Sequence, residues 1–205
     1  MRSTAPHPAV ASRRSGRGYT LIELLVIVVV LGIAGAMVIP SMTQAGALRI
    51  HAAVRSIVAD LTFAQADAAA FQERRVVYFN RVALWDQASS TWTTAAGNGY
   101  TLYAPPLDAA TIDLNNDVMF DPYRADEPYS KNFDEPRYGG AKLLEASFEG
   151  GAPYVVFDEL GGVAQSLTGD APGAGGFVRV GNDMSEFTIS VDAFTGRITV
   201  ADTGP

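Results

Sequence analysis

Few residue sets in this chain have the types and spacing for chemistry, and the most telling is a lone acid. Glu23 stands in Gly18-Tyr19-Thr20-Leu21-Ile22-Glu23-Leu24-Leu25, just ahead of a run from Leu24 to Ile39 with no charged or strongly polar residue. A carboxylate in such a segment costs on the order of 2.5–3.5 kcal/mol at mid-bilayer, so it signals a function or a partner. A second candidate is Asp113-Leu114-Asn115-Asn116-Asp117, which matches the first three oxygen-bearing positions of an EF-hand-type calcium loop. Val118 stands where that loop needs glycine for its sharp turn, and Arg124 where it needs a bidentate glutamate. The expected use of these side chains is an Asx-turn, with a calcium site of another geometry as the alternative. Asp158 and Glu159 are neighbouring carboxylates near a strand end, where adjacent side chains point to opposite faces and do not share a site.

The chain has no cysteine and two histidines, His7 and His51. No disulfide framework and no thiolate metal site can therefore form. A Ser-His-Asp triad would have to be built on His51, which falls on a predicted helix without a ligand or triad partner nearby. No G-x-S-x-G or H-E-x-x-H motif occurs, and the glycine-rich stretch 169–176 lacks both the Lys-Ser/Thr of a phosphate loop and the third glycine of a dinucleotide fingerprint. The sequence thus speaks against an enzyme and calls for no cofactor.

The elements that position Glu23 come next. With Tyr19 to Ile22 included, the apolar tract reaches 21 positions, interrupted by Thr20 and Glu23. As a helix it spans roughly 30 Å, enough to cross a bilayer. Arg2, Arg13, Arg14 and Arg17 all precede it, which places residues 1–18 in the cytoplasm and the rest beyond the membrane, a single-pass layout. A cleaved secretory signal ending at Ala34-Gly35-Ala36 is one alternative, and a plain anchor is another. Pro40 lacks an N–H and is expected to kink or locally unwind a helix that runs through it.

Beyond Pro40 the pattern turns amphipathic over residues 40–73. Ile50, Val54, Ile57, Leu61, Ala64, Ala68 and Phe71 recur at alternating spacings of four and three, one face of a helix. After Glu73 the grammar is that of strands: Arg75–Phe79 and Val82–Trp85 as a strand or hairpin, then Tyr100–Tyr103, Ala146–Phe148, Tyr154–Phe157, Gly176–Val180, Glu186–Val191 and Arg197–Val200. Residues 104–145, rich in Pro and Asp, read as an irregular surface insertion with a short strand near Thr111–Leu114. A helix followed by strands predicts an α+β fold, with an antiparallel sheet on the helix's C-terminal half and a body spanning 74–205.

The N-terminal octet resembles the class III signal of type IV pilins and type II secretion pseudopilins, and Glu23 and Pro40 fall fifth and twenty-second from Tyr19, positions that family marks. The resemblance implies that a prepilin peptidase cuts between Gly18 and Tyr19, that residues 1–18 are a cytoplasmic leader, and that Tyr19 is then N-methylated. It further implies that residues 19–39 are kept as the transmembrane and assembly helix and that Glu23 neutralises the terminal amine of a neighbouring subunit. The implied partners are other pilins or pseudopilins, an inner-membrane assembly platform and the lipid bilayer, with the C-terminal domain in the periplasm. Asp60-Leu61-Thr62-Phe63-Ala64-Gln65-Ala66-Asp67-Ala68, Val156-Phe157-Asp158-Glu159-Leu160-Gly161 and Phe194-Thr195-Gly196-Arg197-Ile198 are similar to segments of the general secretion pathway protein H family. That family's helix usually carries an Ala-Arg pair where Gln65 or Ala66 stands.

Two other functions compete. Some related minor pilins of transformation machines bind DNA near a C-terminal Gly-Arg like Gly196-Arg197. The part after Gly18, however, carries eleven basic against 22 acidic residues, a formal charge of −11, which repels a phosphate backbone. A membrane-tethered ligand-binding domain that borrowed the signal would show a concave site with convergent polar groups.

Overall fold

A computed structural model describes residues 19–138 and 140–204, with backbone alone for 36–49. The predicted leader, with Gly18, lies outside the described residues. The chain is α+β: one helix, α1 (Leu21–Phe71), followed by antiparallel strands, consistent with a pilin-like fold. It divides into two compact units, residues 1–42 and 43–205.

In the first unit, α1 is apolar on every side, and its described side chains from Leu21 to Ile33 face solvent. A helix without a polar face needs an apolar environment or neighbouring helices around it. Among the described residues no helix is long and apolar enough to cross a membrane, and the apolar run continues in sequence beyond Gly35 to Ile39. Pro40 falls where the backbone alone is described, and that backbone is helical.

In the second unit, Ile50, Val54, Ile57, Leu61, Ala64 and Ala68 form the buried stripe that their spacing predicts. Burying Ile57 or Leu61 contributes roughly 1.5–3 kcal/mol each. Alanines at 53, 64 and 68 leave room in the same cluster for Phe79, Tyr100 and Phe157 from the strands. Phe71, expected on this stripe, is 66% exposed. The helix stops there because Gln72 turns left-handed (φ 56°) and Glu73 N–H donates back to Ala68 O at 3.2 Å, a helix-terminating geometry.

Two four-stranded sheets contribute side chains to the core around this helix face. β1 (Arg75–Asp86) pairs with β2 (Thr91–Tyr103) and with β7 (Tyr154–Phe157), while β5 (Ser130–Asn132) adds to the far side of β2. The second sheet runs β10 (Ile198–Asp202), β9 (Glu186–Val191), β8 (Gly176–Gly181), β6 (Lys142–Ser147). Both sheets feed the helix cluster, the first through Val77, Phe79 and Val155, the second through Val178, Val180 and Ile189. Alternate residues of the first sheet, Val76, Tyr103 and Val156, enter a separate cluster with Ala164 and Leu167. Both of its faces are therefore buried.

Two expectations change. The break expected between Phe79 and Val82 is a bulge within one strand: Phe79 pairs with Tyr100 but Arg81 with Ala96, and Asn80 takes a left-handed φ of 57°. Residues 104–145 are more than a surface excursion. They supply β3 (Phe120–Asp121), β4 (Arg124–Pro128) and β5, the start of β6, and the core side chains Tyr129, Phe133 and Tyr138, while Thr111–Leu114 forms no strand. Aromatics spaced without alternation give no strand signal. The polar Ser-Lys-Asn of β5 reaches the sheet because Gly99 has no Cβ, which would collide with Lys131 O.

A polar network locks the helix to these strands. Asp60, 6% exposed, accepts hydrogen bonds from Tyr100 Oη (2.6 Å) and Tyr129 Oη (3.0 Å). Ser56 Oγ joins Tyr100 Oη (3.0 Å) and Tyr138 Oη (3.3 Å). Burial pushes the Asp60 carboxyl above the usual carboxylate range, and the Tyr100 hydrogen bond, the Lys131 charge and the Tyr129 hydrogen bond pull it part of the way back. The folded state thus holds this proton more tightly than the unfolded chain, so the contribution of Asp60 falls as pH rises from the ordinary carboxylate value through the raised one, then levels off. Tyr100→Phe should destabilise the protein by about 1.5–3 kcal/mol in urea unfolding, since it strips a donor from a buried carboxylate. The stability of the wild type relative to Asp60→Asn should decline as pH rises above the ordinary carboxylate value of about 4 and then level off; a difference that does not change with pH would show that Asp60 is not buried as described.

Candidate functional site

At the start of α1, Thr20 acts as the N-cap. Its Oγ1 accepts a hydrogen bond from Glu23 N–H at 3.3 Å, and its carbonyl accepts one from Leu24 N–H at 3.2 Å. Thr20-x-x-Glu23 is the sequence pattern of a capping box, a signal the sequence reading passed over while attending to the charge of Glu23. In the first turn, Glu23 also complements the positive end of the helix. Its place in the first turn therefore favours an acid here apart from any partner, while the bond to Thr20 Oγ1 uses the backbone N–H alone. Tyr19, one residue before the cap, is exposed, and so is Glu23, which has no ion-pair partner among the described residues.

A sequence pattern, the prokaryotic N-terminal methylation motif, matches residues 13–39. The chain carries a prepilin-type signal. The match covers Tyr19, Thr20, Glu23 and the apolar run, and it supports a pilin-type subunit that prepilin peptidase processes and that joins other such subunits. The prepilin-type signal also implies a membrane-anchored N-terminus. No curated protein and no solved structure matches the chain.

The body has its own junction. Gln65, half-buried on α1, donates through Nε2 to Gly161 O at 2.6 Å and to Thr195 O at 3.0 Å. The helix segment, the Asp158–Gly161 turn and the Thr195-Gly196 turn, far apart in the sequence, therefore meet at one amide. Gly161 (φ 82°) and Gly196 (φ 60°) adopt conformations that favour glycine, and a Cβ on Gly196 would collide with Gln65 Nε2 and Gly161 O. Where an arginine would bring a charge, the glutamine brings a neutral donor suited to two carbonyls. Just beyond the helix, Arg74 spans Glu159 (3.3 Å), Ser166 O (2.9 Å) and Asp170 (3.4 Å), and Arg75 binds Asp67 and Glu73.

The acids considered for chemistry are engaged in turns and ion pairs. Asp113 Oδ1 accepts from the N–H groups of Asn115 (3.0 Å) and Asn116 (3.1 Å), and its Oδ2 from the Asn116 amide (2.7 Å). These donors hold the carboxyl below its ordinary range, the Asn116 side chain foremost. Asp158 accepts from Leu160 and Gly162 N–H while Glu159 pairs with Arg74, so the two carboxylates act apart. His51 lies exposed beside the Phe187 ring at 5.0 Å. Near Gly196-Arg197, Arg179 is neutralised by Glu145 (2.7 Å) and Glu186 (3.2 Å), which leaves no basic stripe for a phosphate backbone among these residues.

Gln65→Leu should cost about 1–3 kcal/mol, because it leaves two carbonyls without their donor. Faster amide exchange confined to residues 158–163 and 192–197 would accompany it; exchange unchanged in both turns would show that the amide does not tie them.

Proposed function

We propose that this chain is a minor pseudopilin or pilin-like structural subunit of a type II secretion pseudopilus or a type IV pilus. The methylation motif on residues 13–39 carries this reading. Cleavage after Gly18 removes the leader, Tyr19 becomes the methylated N-terminus, residues 19–39 anchor in the inner membrane with the N-terminus cytoplasmic, and the body stands in the periplasm.

The physics of the first turn supports the role given to Glu23. A chain that begins at Tyr19 has its ammonium one residue ahead of the Thr20 cap, at the positive end of the helix, where a cation is disfavoured. A carboxylate from a neighbouring subunit relieves that charge. At 4 Å and an effective dielectric of 20, one such pair is worth on the order of 4 kcal/mol, comparable to the cost of placing the acid in the bilayer. Exposed apolar residues around the helix supply the packing surface for neighbours and lipid. Pro40 is proposed to bend or locally melt the helix within an assembly, since its missing N–H leaves the carbonyl four residues earlier without an intrahelical donor.

The test is N-terminal sequencing and intact mass of the chain taken from its own membranes. A start at Tyr19 with one added methyl group is expected. A start after Ala36, or retention of Met1, would refute processing as a prepilin. Glu23→Ala should still be cleaved yet lose crosslinking to partner subunits, whereas crosslinking at wild-type yield would remove the role assigned to Glu23.

A further inference from the structure

The tip of the β1–β2 hairpin holds a cleft of about 240 Å³. Trp85 and Trp92 face each other across the two strands, with ring centroids 5.3 Å apart and planes at 69°. In this edge-to-face arrangement the edge of one ring meets a face of the other. Trp92 is fixed by its Nε1–H donating to Asp126 O at 3.0 Å. Phe120 and Trp85 are 58% and 49% exposed, large aromatic surfaces that folding leaves partly wet.

Asn115 and Asn116 complete the wall. The carbonyl oxygen of the Asn115 amide accepts from Thr94 N–H at 3.2 Å, and the amino group of Asn116 donates to Asp113 at 2.7 Å. Each amide is thus oriented by one half. Among the described residues the other halves, Asn115 Nδ2 and Asn116 Oδ1, have no partner, so the cleft presents one donor and one acceptor side by side. None of the ten lining residues is charged, on a body whose formal charge is −11.

We propose that this cleft binds a neutral oligosaccharide. A sugar hydroxyl both donates and accepts, which suits the paired Asn115 and Asn116 groups, and the C–H face of a pyranose ring suits an exposed indole or phenyl face. A charged ligand would meet no counter-ion in this wall, and a hydrocarbon would leave both amides unpaired at a cost. The orientation of both amides and of Trp92 is set before binding, which spares ordering entropy.

The chain's two tryptophans, Trp85 and Trp92, both line this cleft, so native indole emission reads it. Trp92 also borders a charged cavity whose wall includes none of Asn115, Asn116 and Phe120, so the variants below tell the two apart. The experiment titrates the full chain, held in a zwitterionic detergent without sugar groups, with cellotriose, maltotriose and tri-N-acetylchitotriose in turn. A saturable change in emission with at least one of them is expected. The double variant Asn115→Ala/Asn116→Ala keeps both fluorophores and the two backbone N–H bonds to Asp113, loses the Asn116 amide bond to it, and should weaken that binding on the order of tenfold or more. If its free emission spectrum shows that its fold has changed, Phe120→Ala takes its place, with the same weakening expected. No saturation with any of the three, or equal affinity in the variant, would overturn the proposal. A change that follows protein concentration and not sugar would also overturn it, in favour of a second copy of the chain as the occupant.

Discussion

A carboxylate buried on the core face of a helix is tolerated where donors are brought to it, and Asp60 draws its donors from two distant places, Tyr100 on β2 and Tyr129 just before β5. Apolar contact alone does not fix the rotation of a helix against a sheet, because it has no direction. Hydrogen bonds do, and one rotation of α1 brings Asp60 and Ser56 beneath the tyrosine hydroxyls together. The same bonds hold the polar β5 segment in place, where Lys131 Nζ lies 4.9 Å from the Tyr129 ring and 3.7 Å from Asp121. One acid in the middle of the helix thus helps to place segment 104–145.

Much of this architecture was legible in advance. The spacing of Ile50 through Ala68 gave the buried stripe, and the alternation of Phe187, Ile189 and Val191 gave β9 with its bounds. What escaped was non-periodic. Tyr129, Phe133 and Tyr138 enter the core from a stretch without helix or strand rhythm, and Asp60 reads as a polar interruption until its phenol partners are seen. Phe71 continued the helical rhythm by one step too many, since Gln72, and not the apolar pattern, ends the helix. At the N-terminus the glutamate was visible for its charge, while its place in a Thr-x-x-Glu cap followed from the same residues and went unused.

The acidic composition also has a structural explanation. Asp86, Asp113, Asp121, Asp158 and Asp192 each accept backbone N–H groups within a few residues and so hold a turn. The carboxyls of Asp86, Asp113 and Asp192 lie below their ordinary range because of local donors, foremost the Ser89 hydroxyl, the Asn116 amide and the Thr195 N–H respectively. Acids used this way stabilise a loop-rich body without converging on a site. The cleft at the hairpin tip is lined instead by amides, hydroxyls and aromatic rings.

The Gln65 junction has a mechanical meaning. Within residues 43–205, a pull on α1 enters the body along the helix. Asp60 and Gln65 lie on that path, one tied to β2 and the segment before β5, the other to the turns after β7 and before β10. A pull along the helix axis loads these bonds and the packed apolar stripe in parallel, in shear, so that no single contact yields first. The C-terminal hairpin, last in the chain, thereby becomes part of the grip on its first element.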